Sequence, residues 1–185
     1  MRAALLSLAL VALAAASPLE ERQTTAGGVT NVISDVSLLS SQLGKMDTAI
    51  QAPGGNSVAY TQNQLNAFFD ATSPCFYYNG NVSASLGNSA TFNQADSAKL
   101  GSALISSLKP AVTKVVSDLV AHKAGFVAAS ASAQASQILG YVSGDAMGIA
   151  STVIGKVTGP TATAEASAIS SSLAAVFASA KAAYP

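Results

Sequence analysis

Seven apolar residues, Val29, Val32, Val36, Leu39, Leu43, Met46 and Ile50, recur at alternating steps of three and four. That spacing lays one continuous apolar stripe along an α-helix and suits no strand. Ala52-Pro53-Gly54-Gly55-Asn56 ends the pattern with helix-breaking residues. The chain has a single cysteine, Cys75. No intramolecular disulfide can staple it, so stripes like this one must close the core by burial alone.

The same period returns along the rest of the chain. A second helix is expected to start near Ser57 as N-cap, to carry Val58, Leu65, Phe68 and Phe69, and to stop before Pro74. Ser73 to Asn93 reads as the least regular stretch, with an Asn79-Gly80 turn signal, unless part of it continues the second helix after a kink. Thr91-Phe92-Asn93-Gln94 has the form of a capping box, with Gln94 returning a bond to Thr91. A long helix should follow, with Leu100, Leu104, Leu108, Ala111, Val115 and Leu119 on one face and Pro110 bending or splitting it. Between Gly125 and Val157 the stripe is Leu139, Val142, Ala146, Ile149, Val153 and Val157. Gly159-Pro160 breaks the chain, Pro160 suits a first helical position, and the last helix carries Ala166, Ile169, Leu173, Val176, Ala180 and Ala183. No stretch keeps a period of two. The expected fold is an all-α, largely antiparallel bundle of about five helices joined by short loops.

The N-terminus stands apart. Met1-Arg2 supplies a positive charge, Ala3 to Leu13 is apolar apart from Ser7, and Ala14-Ala15-Ala16 places small residues before Ser17-Pro18. This is the pattern of a secretory signal peptide over residues 1–16, shorter than the roughly 20 apolar residues of a membrane span. Residues 17–22, ending at Arg22, read as a short propeptide, which leaves residues 23–185 as one domain. The expected location is outside the cell or in the cell wall, with no transmembrane segment.

Charge removes several function classes. Nine Lys and Arg balance nine Asp and Glu, and charged residues make up 10% of the chain, against about 25% in ordinary domains. No basic face exists to neutralise phosphates, so nucleic-acid binding is excluded. One histidine, one cysteine and scattered carboxylates offer no metal-ligand cluster. Asp118 precedes His122 by one helical turn and could orient its imidazole, but the solvated-pair reading is preferred. Gly140-Tyr141-Val142-Ser143-Gly144 misses the nucleophile-elbow spacing, and Ser106-Ser107-Leu108-Lys109 lacks the companion motifs of its class. No catalytic residue and no cofactor is therefore assigned.

Three features remain. Gly140, Gly144 and Gly148 share one helix face, which reads either as a close helix neighbour or as an open apolar groove. Cys75 reads either as a small buried hydrophobe or as a thiol for an intermolecular disulfide. Asn81-Val82-Ser83 is a sequon that makes Asn81 a candidate glycosylation site.

The run from Ala95 to Phe126 resembles the fungal hydrophobic surface-binding protein A family, also called cell wall galactomannoproteins. The resemblance is carried by Asp96, by an L-x-P-x-V core at Leu108, Pro110 and Val112, and by Leu119, Lys123 and Phe126. The first helix from Asp35 to Ile50 and the Ala/Ser-rich last helix extend it over most of residues 28–184. The chain departs in a longer Cys75–Asn88 stretch and in lacking a Ser/Thr-rich stalk or GPI-type tail, which argues against covalent wall anchoring. The resemblance implies a helical bundle secreted by a fungus, no catalysis, adsorption to hydrophobic surfaces, recruitment of cutinase-like esterases and, in related domains, fatty-acid binding inside the bundle. With the low charge and the glycine ridge, it nominates an apolar lining for a lipid or hydrophobic surface: Leu43, Phe68, Leu104, Leu108, Val112 and Val115, together with Phe126, Leu139, Val142, Gly144 and Val153. The rivals are a passive wall mannoprotein or antigen with a filled core, and a small secreted hydrolase using His122.

Overall fold

The computed structural model describes residues 28–184. The signal-peptide and propeptide readings, residues 1–16 and 17–22, lie outside the described residues. The chain forms α1 (Val29–Ile50), α2 (Gln62–Asn88), α3 (Gln94–Ala103), a π-helical segment (Leu104–Leu108), α4 (Lys109–Ala121), α5 (Lys123–Ala128), α6 (Ser132–Ile154) and α7 (Pro160–Ala183). No strand occurs among the described residues. The segments α3, π and α4 join without a break. The long rods are thus α1, α2, α3–α4, α6 and α7, in the all-helical bundle that the stripes predict, with the short α5 added.

α1 has the bounds its stripe sets. Val32, Val36, Met46 and Ile50 are fully buried, and α1 packs on α2, α3, the π segment and α4. α2 corrects the expectation. Its N-cap is Thr61, not Ser57, in a true capping box with Gln64. It runs through Pro74 to Asn88, across the stretch read as irregular, and Asn79-Gly80 is helical rather than a turn. The physical reason is a stripe that continues past the proline. Leu65, Phe68, Thr72, Cys75, Asn79, Val82 and Leu86 keep the three-four spacing, and all but the half-exposed Asn79 are buried. Burying that face against α1 outweighs the ~3 kcal/mol that a proline costs a helix interior. Asn81 lies in this helix and is half-buried.

The start of α3 is a second correction. Asn93, not Thr91, is the N-cap, accepting from the Asp96 amide at 2.9 Å while its own side chain donates to the Asp96 carboxylate. Pro110 neither splits nor ends the next helix. The chain widens just before it, and the Lys109 amide donates to the Leu104 carbonyl, five residues back. A π turn of this kind gives the ring of Pro110 room that a regular α turn would deny it. Between α5 and α6, Ser130 takes a left-handed backbone (φ 57°), which divides the stripe expected to run from Gly125.

Polar latches close both ends of the bundle. At one end the Gly28 amide donates to Ser89 Oγ at 2.9 Å, Lys156 Nζ donates to the Ser89 carbonyl, and Thr158 Oγ1 donates to the Phe92 carbonyl at 2.6 Å. At the other, Tyr60 donates through its hydroxyl to the Ile50 carbonyl, and Tyr184 to the Leu119 carbonyl at 2.6 Å. α7 is long and apolar enough to cross a membrane by length and composition. Here Ala166, Ile169, Leu173 and Phe177 turn it into the core.

The glycine ridge corrects the close-neighbour reading. A Cβ built at Gly140, Gly144 or Gly148 meets nothing within 4 Å, and all three glycines are exposed. They admit no neighbouring helix, and none of them lines the cleft described below. Gly125 is the opposite case: a Cβ there would lie 2.5 Å from the Val58 carbonyl oxygen. Replacing Gly140, Gly144 and Gly148 with Ala is therefore expected to stabilise the protein by ~0.5–1 kcal/mol per site. Gly125→Ala is expected to destabilise it by ~1–3 kcal/mol through overpacking. Thermal melting of both variants checks the pair, and a lowered Tm for the triple variant would restore a close neighbour at the ridge.

Candidate functional site

Four rods converge at the midpoint of the bundle on one cleft. α1 contributes Leu39 and Leu43, and α2 contributes Cys75, Phe76 and Asn79. Leu108 and Val112 come from the π segment and α4, and Val142, Asp145, Ala146 and Ile149 from α6. The deep walls are buried side chains, whereas Phe76, Asn79 and Asp145 are half-exposed and form the mouth. Outside it, Tyr141 packs edge-on to Phe76, with ring centroids 5.4 Å apart. The void is about 20 Å³, room for one water molecule. The cleft is a narrow seam between these rods.

Its polar groups are few. Asn79 Oδ1 is buried with no hydrogen-bond partner. Burial raises the Asp145 carboxyl above its ordinary value of 3.8. Burial, with the nearby Asp145 adding to it, pushes the Cys75 thiol up to about 12. The thiol donates weakly to the Ala71 carbonyl at 3.5 Å. Cys75 is thus the small buried hydrophobe of the first reading.

Of the residues nominated from the sequence, Leu43, Leu108, Val112 and Val142 meet in this cleft. Leu104, Val115, Leu139 and Val153 are buried in the same core but not on the cleft wall. Phe68 and Phe126 sit nearer one end, ring centroids 5.3 Å apart, with Tyr60 stacked on Phe126 at 4.3 Å. Gly144 faces solvent. The sequence reading did not nominate Leu39, Cys75, Phe76, Asn79, Asp145, Ala146 or Ile149. The signal was present in α2, where Asn79 falls on the inward spacing between Cys75 and Val82.

A second polar cluster lies near one end. Lys114 Nζ bridges Asp47 and Asp118 at 2.8 Å each, and Gln51 Nε2 donates to Asp118 at 2.7 Å. Burial works to raise Asp118, but hydrogen bonds with Asp47, Lys114 and Gln51 outweigh it and hold that carboxyl at about 2. Asp47 is pushed up, first by burial and then by its bond with Asp118. His122 corrects the solvated-pair expectation. It is 5% exposed, with Nδ1 unpartnered. Its ring meets Tyr60 edge-on rather than the Asp118 carboxylate. Among the described residues no hydrogen bond joins its imidazole to a serine or cysteine, and no group of three or more His, Cys, Asp or Glu could hold a metal ion.

No protein-family model matches the chain, and no curated protein matches it in sequence. Solved structures do match in shape. One is AFMP4P in complex with palmitic acid, with TM-score 0.77 and 17% identity over 85% of this chain and 100% of that one. Another is ligand-binding domain 1 of the Penicillium marneffei MP1 protein, complexed with arachidonic acids, with TM-score 0.73 and 16% identity over 85% of this chain and 99% of that one. At such identities the likeness is one of fold.

Asp145 gives a test of the mouth. Its folded-state pKa lies above its unfolded value, so its contribution to stability is complete below about 3.8 and is lost as pH rises through the raised folded value. Asp145→Asn is therefore expected to melt a few degrees above the parent at neutral pH and level with it below pH 3.8. A Tm difference that does not change with pH would contradict the assignment.

Proposed function

We propose that this protein is a secreted, non-catalytic binder of long-chain lipids, and that the acyl chain lies along the seam between α1, α2, α4 and α6. The observation that carries the reading is the cleft itself. Its walls come from every rod except α7, and only its mouth is polar. The fold shared with two lipid-complexed domains supports it. Each buried CH₂ contributes about 0.8 kcal/mol, so a long chain gains on the order of 10 kcal/mol before ordering costs are subtracted. That margin suffices for micromolar binding without an ion pair.

The seam must widen to accept a chain, because drug-sized ligands occupy roughly 300–1,000 Å³ and the void is about 20 Å³. This small void favours the rival reading, a passive wall protein with a filled core, and makes the rival testable. Adsorption through an exposed apolar helix face has less support. Leu38, Val58, Tyr77, Ile105, Val127 and Tyr141 are the exposed large hydrophobics, and no helix carries more than one of them. On the family resemblance we further propose that the protein recruits cutinase-like esterases to hydrophobic surfaces.

Delipidated protein is expected to bind a C16 lipid with micromolar or better affinity, and bound lipid should shift the methyl resonances of Leu39, Leu43, Val112 and Ile149, which line the seam. Ala146→Phe fills the seam and should weaken binding at least tenfold while the helical circular-dichroism spectrum is kept. If that variant fails to fold, the methyl shifts in the parent still decide. Lipid that binds without moving those resonances, or no binding at all, would refute the seam. Secretion predicts a mature N-terminus at Ser17 or Gln23, and N-terminal sequencing of protein from culture medium that begins at Met1 would contradict it.

A further inference from the structure

The mouth of the seam carries one carboxylate and one amide, and no cation. Asn79 Oδ1 is buried and unpartnered. Asp145 makes no ion pair or hydrogen bond among the described residues, and burial alone raises its pKa. None of the cleft-lining residues is Lys, Arg or His. From α1 and α4 only Leu39, Leu43 and Val112 face the cleft, and from the π segment Leu108. α2 adds one titratable group, the Cys75 thiol, which stays neutral over the working range because burial lifts it to about 12.

If an acyl chain fills the seam as proposed, its head would lie at this half-exposed mouth of Phe76, Asn79 and Asp145. A carboxylate head would place a second anion beside Asp145 in a partly desolvated site with no countercharge. Two carboxylates sharing such a site cannot both ionise, so one must take up a proton. A hydroxyl head meets the opposite situation. It donates to Asn79 Oδ1 or to the Asp145 carboxylate and leaves no new charge unpaired.

We infer that the cleft selects long-chain lipids with an uncharged, hydrogen-bond-donating head, such as a long-chain alcohol or a monoacylglycerol, over fatty-acid anions at neutral pH. This rests on the lipid-binding reading above and adds a specificity to it. Acid solution removes the discrimination, because the protonated fatty acid becomes a donor itself and Asp145 takes up a proton as well.

The test compares 1-dodecanol with dodecanoate, both below their aggregation limits, by isothermal titration calorimetry on the delipidated full chain. Calorimetry suits a protein without tryptophan. At pH 7.5 dodecanol is expected to bind about tenfold or more tightly than dodecanoate, a difference that ion repulsion in a shared site readily supplies. The gap should close at a pH below the fatty acid's own pKa. Asp145→Asn should raise dodecanoate affinity by about tenfold at pH 7.5 and so narrow the gap between the two probes. Equal affinities of the parent at pH 7.5, or an unchanged dodecanoate affinity in Asp145→Asn, would overturn the inference while leaving lipid binding intact. If neither probe binds, the lipid-binding reading fails and the specificity falls with it.

Discussion

Everything in this bundle depends on the apolar face of α1. Its inward residues are buried to zero exposure at four positions, and the helix touches α2, α3, the π segment and α4. The chain has no disulfide to hold these rods in register. Among the described residues the ion pairs are Lys99–Asp96 and the Lys114 bridge to Asp47 and Asp118, both away from the midpoint. Directional bonding is concentrated at the two ends, through Gly28, Ser89, Thr158 and Lys156 at one and Tyr60, Tyr184 and Gln51 at the other. Between these latches the rods are held mainly by burial, which is non-directional and survives sliding and repacking. One buried bond, Ser85 Oγ to the Asp35 carboxylate, ties α1 to α2 on the Ser89 side of the seam, and a seam at the midpoint can widen by repacking its apolar walls while that bond and the end latches stay made.

The polar exceptions to the stripes lie where chemistry is available. Thr72 and Asn79 occupy inward positions of α2. Thr72 returns its hydroxyl to the Phe68 carbonyl at 2.8 Å and is satisfied within its own helix. Asn79 is not, and its orphan oxygen sits at the mouth of the seam. A buried acceptor without a partner is costly, and an apolar residue would fit the stripe better. Asp145 repeats this on α6 beside Ala146. The exposed Gly140, Gly144 and Gly148 on the outer face of the same helix lower its intrinsic stability, which places the easily deformed wall of the seam on α6.

The helices were largely legible because they follow a period. α1 is set by its stripe and by the Pro53-Gly54-Gly55 stop, and α7 by Pro160. What was not legible has a common physical cause. At Pro74 and Asn79-Gly80 burial outweighs the local breakers, and Thr72 and Asn79 hide this in the sequence because they interrupt the apolar face of α2 while keeping its spacing. At Pro110 the chain absorbed the ring by a π turn, which no local signal announces. The cleft was half legible. Leu43, Leu108, Val112 and Val142 stand on their stripes, but the convergence of four rods on one point depends on register between helices, which periodicity within each helix leaves open. Cys75 and Asp145 are brought together only by that register. The glycine ridge shows the converse error: regular spacing on one face says that the face is uniform, not that anything lies against it.

In the proposed function an acyl chain enters between the rods rather than adsorbing outside them. Isotope-filtered NOE spectroscopy on the protein with a ¹³C-labelled C16 lipid tests this directly. Contacts are expected from the chain methylenes to the methyl groups of Leu39, Leu43, Val112 and Ile149, with the rods still folded. Contacts confined to the exposed side chains of Leu38, Ile105 and Val127 would contradict it and place the lipid on the surface of a bundle whose core stays shut.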